Sequence, residues 1–231
     1  MFTTSVICSL RRELTGFTPR RWQGTTLARS VTMAPRLHGS PQSRSPLVNW
    51  GALEMGVALE MAPSRPSNHP FGQVPFLVDG DVEIFESGAI LLYLADAYGG
   101  ADTAVKRAKT TKWVMWANSE LDGLCFGAVP GDHRVKGTQM NNPGIRSVAV
   151  LEKLLGQCEW IVDDTFSVAD VAIGSYLNYV PIFFPAANLS ATPNICAYML
   201  KCASRPKFGE AFGEEHANLV RQKATAWLGR R

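Results

Sequence analysis

The spacing of apolar residues changes character several times along the chain. Phe2, Val6, Leu10 and Leu14 recur every four residues, with Arg11 and Arg12 off that line, which is an amphipathic pattern. Arg36–Gly39 is a short strand candidate, followed by a loop over 40–44. Ser45-Pro46 has the form of an N-cap with proline at the first helical position, and Leu47, Trp50 and Leu53 follow at helical spacing up to Gly56. Val57–Met61 is a second strand candidate. Residues 62–72 hold Pro63, Pro66 and Pro70 and no period, so they form a loop. Phe76–Val78 and Val82–Phe85 flank Asp79-Gly80-Asp81, a hairpin signal. Ser87 is the expected cap of a helix carrying Ala89, Ile90, Tyr93, Leu94 and Ala97 on one face and ending at Gly99-Gly100.

From about residue 104 the strand signals stop. Helices are predicted near 104–127, 144–160, 168–182, 192–204 and 206–219, with a Gly-, Asp-, Asn- and Pro-rich loop over 128–143. Ser167 and Asp170 have capping-box spacing and are read as structural. Trp113 and Trp116, and the set Tyr176, Tyr179, Phe183 and Phe184, are read first as packing residues, with one or two of the latter lining a pocket. The pattern predicts a β-α-β, hairpin and helix unit over 35–100, a linker near 99–103, and an all-α unit over 104–220.

Composition narrows the function classes. Apolar residues make up 46% and aromatics 10% of 231 residues, which fits a folded protein rather than a disordered one. No apolar run is long enough to span a membrane. The net charge of +3 is unevenly spread: residues 1–34 carry five Arg against Glu13 alone, and the remainder carries 18 basic and 19 acidic residues. The basic character is therefore no polyanion-binding face, and nucleic acid is not an expected partner. The first 34 residues are Arg-rich and acid-poor, the composition of a transit peptide, while Met33-Ala34-Pro35 offers an alternative start. The leader implies a mitochondrion or plastid if it acts as an address, and the cytoplasm if translation starts at Met33. Cys8, Cys125, Cys158, Cys196 and Cys202 show no paired or zinc-type spacing. The expectation is reduced thiols and no metal.

Residues 68–98, from Asn68-His69-Pro70 through Val74-Pro75 and Glu86-Ser87 to Tyr98, closely resemble the glutathione-binding half of the glutathione S-transferase family. Phe166–Asp170 is similar to the family's buried capping motif, and Arg205-Pro206 with Phe208 to its last-helix motif. The resemblance implies an α/β thioredoxin-like N-terminal domain with a mixed four-stranded sheet, followed by an all-α helical-bundle domain. It also implies glutathione as co-substrate, a small electrophile as acceptor, a role in detoxification, and a homodimer.

Transferred residue by residue, it makes Val74 and Pro75 (cis in the family) the main-chain partner of the cysteinyl unit. Ser87 becomes the anion site for the γ-glutamyl carboxylate, with Glu86 beside the ammonium. Gln73 and His69 are candidates for the glycyl end, as are Arg65 and Asn68, because the short segment 62–73 has no room for the family's usual helix.

Conjugation needs the thiol as thiolate. Lowering a thiol pKa from about 8.5 by two units takes about 2.7 kcal/mol of preferential anion stabilisation. One hydrogen bond to the charged sulfur supplies roughly 1.5–3 kcal/mol, and a helix N-terminus roughly 0.3–2. The family uses Tyr, Ser or Cys in the first loop, and residues 39–45 contain no Tyr or Cys. Ser43 is the first candidate, then Ser45 and, behind it, Ser40, with Arg44 as an alternative or additional source of positive charge. The missing Cys disfavours glutaredoxin-like chemistry. A non-catalytic glutathione- or ligand-binding member of the fold, or a glutathione-dependent isomerase or peroxidase, are the rival readings. The loop 128–143, with His133, Arg134 and Lys136, is read as a lid or a surface excursion.

Overall fold

The computed structural model describes residues 34–63, 66, 68–127 and 137–229. The leader, Arg65, and the loop residues His133, Arg134 and Lys136 lie outside the described residues.

Strand β1 (Arg36–His38) is followed by helix α1 (Ser45–Glu54) and strand β2 (Glu60–Ala62), then by β3 (Phe76–Asp79), β4 (Val82–Phe85) and α2 (Ser87–Ala97). The sheet order is β2-β1-β3-β4. β1 runs parallel to β2, with Leu37 opposite Met61, and antiparallel to β3, with Leu37 opposite Leu77. The hairpin pairs Phe76 with Phe85. This is the mixed four-stranded sheet expected of a thioredoxin-like domain. The second strand starts three residues later than its apolar run, because Val57 turns into the core beneath α1 instead of pairing.

The remaining elements are helical. They are α3 (Ala104–Trp116), a π-helical turn (Ala117–Leu121), α4 (Asp122–Phe126), α5 (Arg146–Leu155), α6 (Val168–Phe183), α7 (Pro193–Ala203), α8 (Pro206–Phe212) and α9 (Glu214–Leu228). The single helix expected over 206–219 is two, broken at Gly213, whose φ of +90° no helix accommodates. The Arg205-Pro206 motif therefore opens α8 and not the last helix. Ala217, Val220, Ala224 and Trp227 then carry one buried face of α9 on to Leu228, past the expected end. Part of the 128–143 loop is no excursion: Met140 is fully buried, and Gln139 N–H donates to the Leu124 carbonyl at 2.8 Å.

Helix α1 joins the two halves. Leu47, Val48 and Trp50 are fully buried, and the Trp50 ring meets Phe166, Phe208 and Phe212 of the helical half. At its end, Glu54 accepts from Trp50 Nε1 at 2.9 Å and takes a two-pronged contact from Arg205, at 2.7 and 2.6 Å. Arg205 lies 3.6 Å from the centre of the Phe166 ring. None of the thiols of Cys125, Cys158, Cys196 and Cys202 is in a disulfide, and among the described residues no helix is long and apolar enough to cross a membrane.

The capping box at α6 forms as its spacing predicts. Ser167 Oγ accepts from Ala169 N–H, while Asp170, fully buried, accepts from the N–H groups of Ser167 and Ile161 and from the Tyr198 hydroxyl. Burial raises the Asp170 pKa against the pull of these donors. Asp170→Ala strands several buried donors at once and should cost about 3 kcal/mol. Urea denaturation measures this. Unchanged stability with lost activity would instead make Asp170 part of the site.

Candidate active site

Between the end of the β3–β4 hairpin and the helical half lies a cleft of about 430 Å³. On the sheet side it is lined by His69, Gln73, Val74, Pro75, Glu86 and Ser87, six of the ligand candidates expected from sequence; Asn68 is not among the lining residues, and Arg65 lies outside the described residues. Opposite stand Asn118, Asp122 and Tyr176, and Arg44 reaches in from the loop before α1.

Each side chain has a local cause. The Val74-Pro75 peptide is cis, and Val74 is placed by the irregular segment that leads into β3. His69 is nearly buried, its ring 4.9 Å from Phe85 and 5.5 Å from Phe76. Its Nδ1 accepts from Phe71 N–H at 3.0 Å, so the neutral imidazole carries its proton on Nε2. Ser87 does not cap α2. Glu86 occupies the N-cap position, at φ +69° and without a side-chain capping bond, which makes Ser87 the first helical residue. Its side chain lines the cleft together with Tyr176, beside N–H groups at the start of the helix. Gly88 lets this turn approach the helical half: a Cβ there would stand 2.6 Å from Asn118 Nδ2.

The first loop departs most from expectation. Ser43 Oγ donates to the Ser40 carbonyl at 2.8 Å, lies 2.7 Å from Ser45 Oγ, and accepts from Ser45 N–H at 3.1 Å. Ser43 therefore supplies the oxygen at the start of α1, the role expected of Ser45, while Ser45 is buried as the first helical residue. The structure brings neither hydroxyl to the cleft; the loop residue it does bring is Arg44. The backbone behind it is held by the Tyr179 hydroxyl, which donates to the Ser43 carbonyl at 3.0 Å.

Arg44 is no solvated loop residue. Its guanidinium carbon lies 4.6, 5.0 and 5.2 Å from the ring centres of Phe126, Tyr176 and Tyr179. Its Nη2 donates to Asp122 Oδ1 at 2.5 Å. Burial acts to discharge it, but Tyr176 and Asp122 outweigh burial and hold its pKa above the ordinary arginine value. Burial likewise pushes the Tyr176 phenol up, partly relieved by Arg44. The cleft thus contains a permanent cation and a protonated phenol.

Sequence reasoning missed Asn118 and Asp122. The π turn adds a residue to one turn of the helix and resets the phase of all that follows. No composition signal marks it.

On the other side of the first loop is a more apolar cavity of about 610 Å³, lined by Gln42, Tyr179, Phe183, Phe212, His216 and Leu219, among others. His216 Nε2 donates to the Asn178 carbonyl at 2.9 Å, and burial lowers its pKa.

The comparisons agree with this fold. Residues 58–96 match the family model "Glutathione S-transferase, N-terminal domain", and residues 144–206 match "Glutathione S-transferase, C-terminal domain". The chain is 29% identical to glutathione S-transferase GstB of Escherichia coli over 152 residues, spanning 60% of this chain and 72% of the relative. It is 29% identical to glutathione S-transferase F13 of Arabidopsis thaliana over 163 residues, 63% and 74% of the two chains. A glutathione transferase from Burkholderia graminis, solved with two glutathione molecules bound per subunit, aligns with a TM-score of 0.62 at 25% identity, over 78% of this chain and 87% of that one. The chain belongs to the glutathione S-transferase family.

A base held neutral by burial is a pH liability. As pH falls below about 6.5, the unfolded chain takes up the His216 proton before the folded one does. Stability should fall with pH from there through the lowered folded value. In His216→Gln, which keeps a donor for Asn178, the dependence should flatten. Parallel urea midpoints for the two proteins between pH 7.5 and 5 would remove this assignment.

Proposed function

We propose that this protein is a glutathione transferase that ionises the glutathione thiol in the 430 Å³ cleft and delivers it to a small electrophile. The observation that carries the reading is Arg44. A cation enters the cleft between the Val74 edge, which suits a peptide main chain, and the Ser87 helix start, which suits a carboxylate. The cysteinyl main chain pairs with Val74, the γ-glutamyl carboxylate sits at Ser87 with Glu86 near its ammonium, and the glycyl end faces Gln73 and His69.

A unit charge about 4 Å from the sulfur, at an effective dielectric of about 20, is worth about 4 kcal/mol, offset in part by the Asp122 carboxylate, against the roughly 2.7 kcal/mol that two pKa units require. Arg44 is assigned this role and Ser43 that of holding the loop. The electrophile then approaches from the apolar cavity at Tyr179 and Phe183. Its lining is mainly apolar, with Glu214 and Glu215 also on it, and suits an acceptor without negative charge.

Thiolate absorbance of bound glutathione, followed against pH, tests this. Arg44→Ala should raise the bound thiol pKa by about one unit or more, and Ser43→Ala by less. No thiolate in wild type at neutral pH would leave a glutathione-binding, non-catalytic member of the fold. An acceptor panel of aryl halides, hydroperoxides and unsaturated diketones separates conjugation from peroxidase or isomerase chemistry.

The homodimer implied by the family belongs to the same reading. Phe71 stands 70% exposed beside the sheet, and Trp113, Trp116 and Val150 line a groove of about 300 Å³ on the helical half. Light scattering should give twice the chain mass, falling to one chain mass for Phe71→Glu. A monomeric wild type would overturn the dimer.

A further inference from the structure

Asp122 lines the cleft with its negative charge, which opposes a thiolate. Its presence needs a reason that outweighs that repulsion. Arginine is long and flexible, and Arg44 arises from a loop. The rings of Phe126, Tyr176 and Tyr179 enclose its guanidinium and fix where it sits. Ring faces are indifferent to rotation within the guanidinium plane. A carboxylate on one nitrogen is not: the contact from Nη2 to Asp122 selects which N–H edge is turned toward the protein and which toward the cleft.

We propose that Asp122 is a positioning residue, delivered by the π turn, that aims Arg44 at the bound thiol. This rests on the assignment of thiolate stabilisation to Arg44. The π turn spans Ala117–Leu121, immediately before Asp122, and Asn118 inside it accepts from Tyr176 at 3.2 Å. One local irregularity thus sets both polar residues of the helical wall, and π turns are frequent at functional sites.

Bound-thiol pKa, measured by thiolate absorbance on the full chain with glutathione, decides the matter in a two-background design. Asp122→Ala should raise the thiol pKa by about one unit and lower kcat below that pH by about tenfold, with KM for glutathione changed less than about threefold. In the Arg44→Ala background the same substitution should leave the thiol pKa unchanged or lower it, because only the carboxylate's repulsion remains to be removed. Asp122→Glu keeps the charge and moves it by one methylene, so it should also raise the thiol pKa; it decides alone if the alanine variant fails to fold.

A fall in thiol pKa for Asp122→Ala in the wild-type background overturns the proposal, since the carboxylate then only repels. A tenfold rise in KM with no pKa change also overturns it and makes Asp122 a direct ligand contact. If Arg44→Ala itself leaves the thiol pKa unchanged, the underlying reading of Arg44 fails instead.

Discussion

Everything at the cleft depends on helix α1 being fixed to both halves of the molecule. Its far end is clamped by the Glu54–Arg205 pair, with the Glu54 side chain only 11% exposed. A two-pronged contact in such a place resists both sliding and rotation, and removing Arg205 would leave the largely desolvated Glu54 charge behind. The near end is held by weaker but more numerous devices: the Ser43 bonds within the loop, the Tyr179 hydroxyl on the Ser43 carbonyl, and the Arg44–Asp122 contact. Since the cleft opens where this helix begins, rigidity at one end of α1 becomes precision at the other.

The two walls of the cleft are made differently. The sheet-side wall is local. His69 through Ser87 form a short stretch of chain whose hairpin returns it to the same edge, so six residues expected from sequence line one cavity. The helical wall is assembled at long range, and its electrostatics are a compromise. The helices supply rings that strip water from Arg44, and a carboxylate that keeps it charged there. A cation prepared in this way acts over a longer distance than one in water, because less solvent screens it.

The same contrast explains what the sequence disclosed. The hairpin, the capping box and the sheet-side residues follow from turn chemistry and spacing that operate within a few residues. The exchange of roles between Ser43 and Ser45 turns on the backbone at Arg44, with φ −81° and ψ 5°, which two serines flanking one arginine do not specify. The break at Gly213 needed one dihedral angle as well. Asn118 and Asp122 were hidden for a different reason. Helical periodicity shows which face is polar, but the neighbours of that face are set by tertiary packing, and the π turn shifts the phase without a compositional mark.

The described cysteines take on a meaning beyond packing. Burial pushes up the thiols of Cys125, Cys202 and Cys158, and that of Cys196 to about 12. These sulfurs stay protonated at neutral pH and are therefore poor nucleophiles. Cys125 belongs to the same short helix as Asp122. At these four positions the fold withholds its own thiols from the chemistry proposed for the cleft.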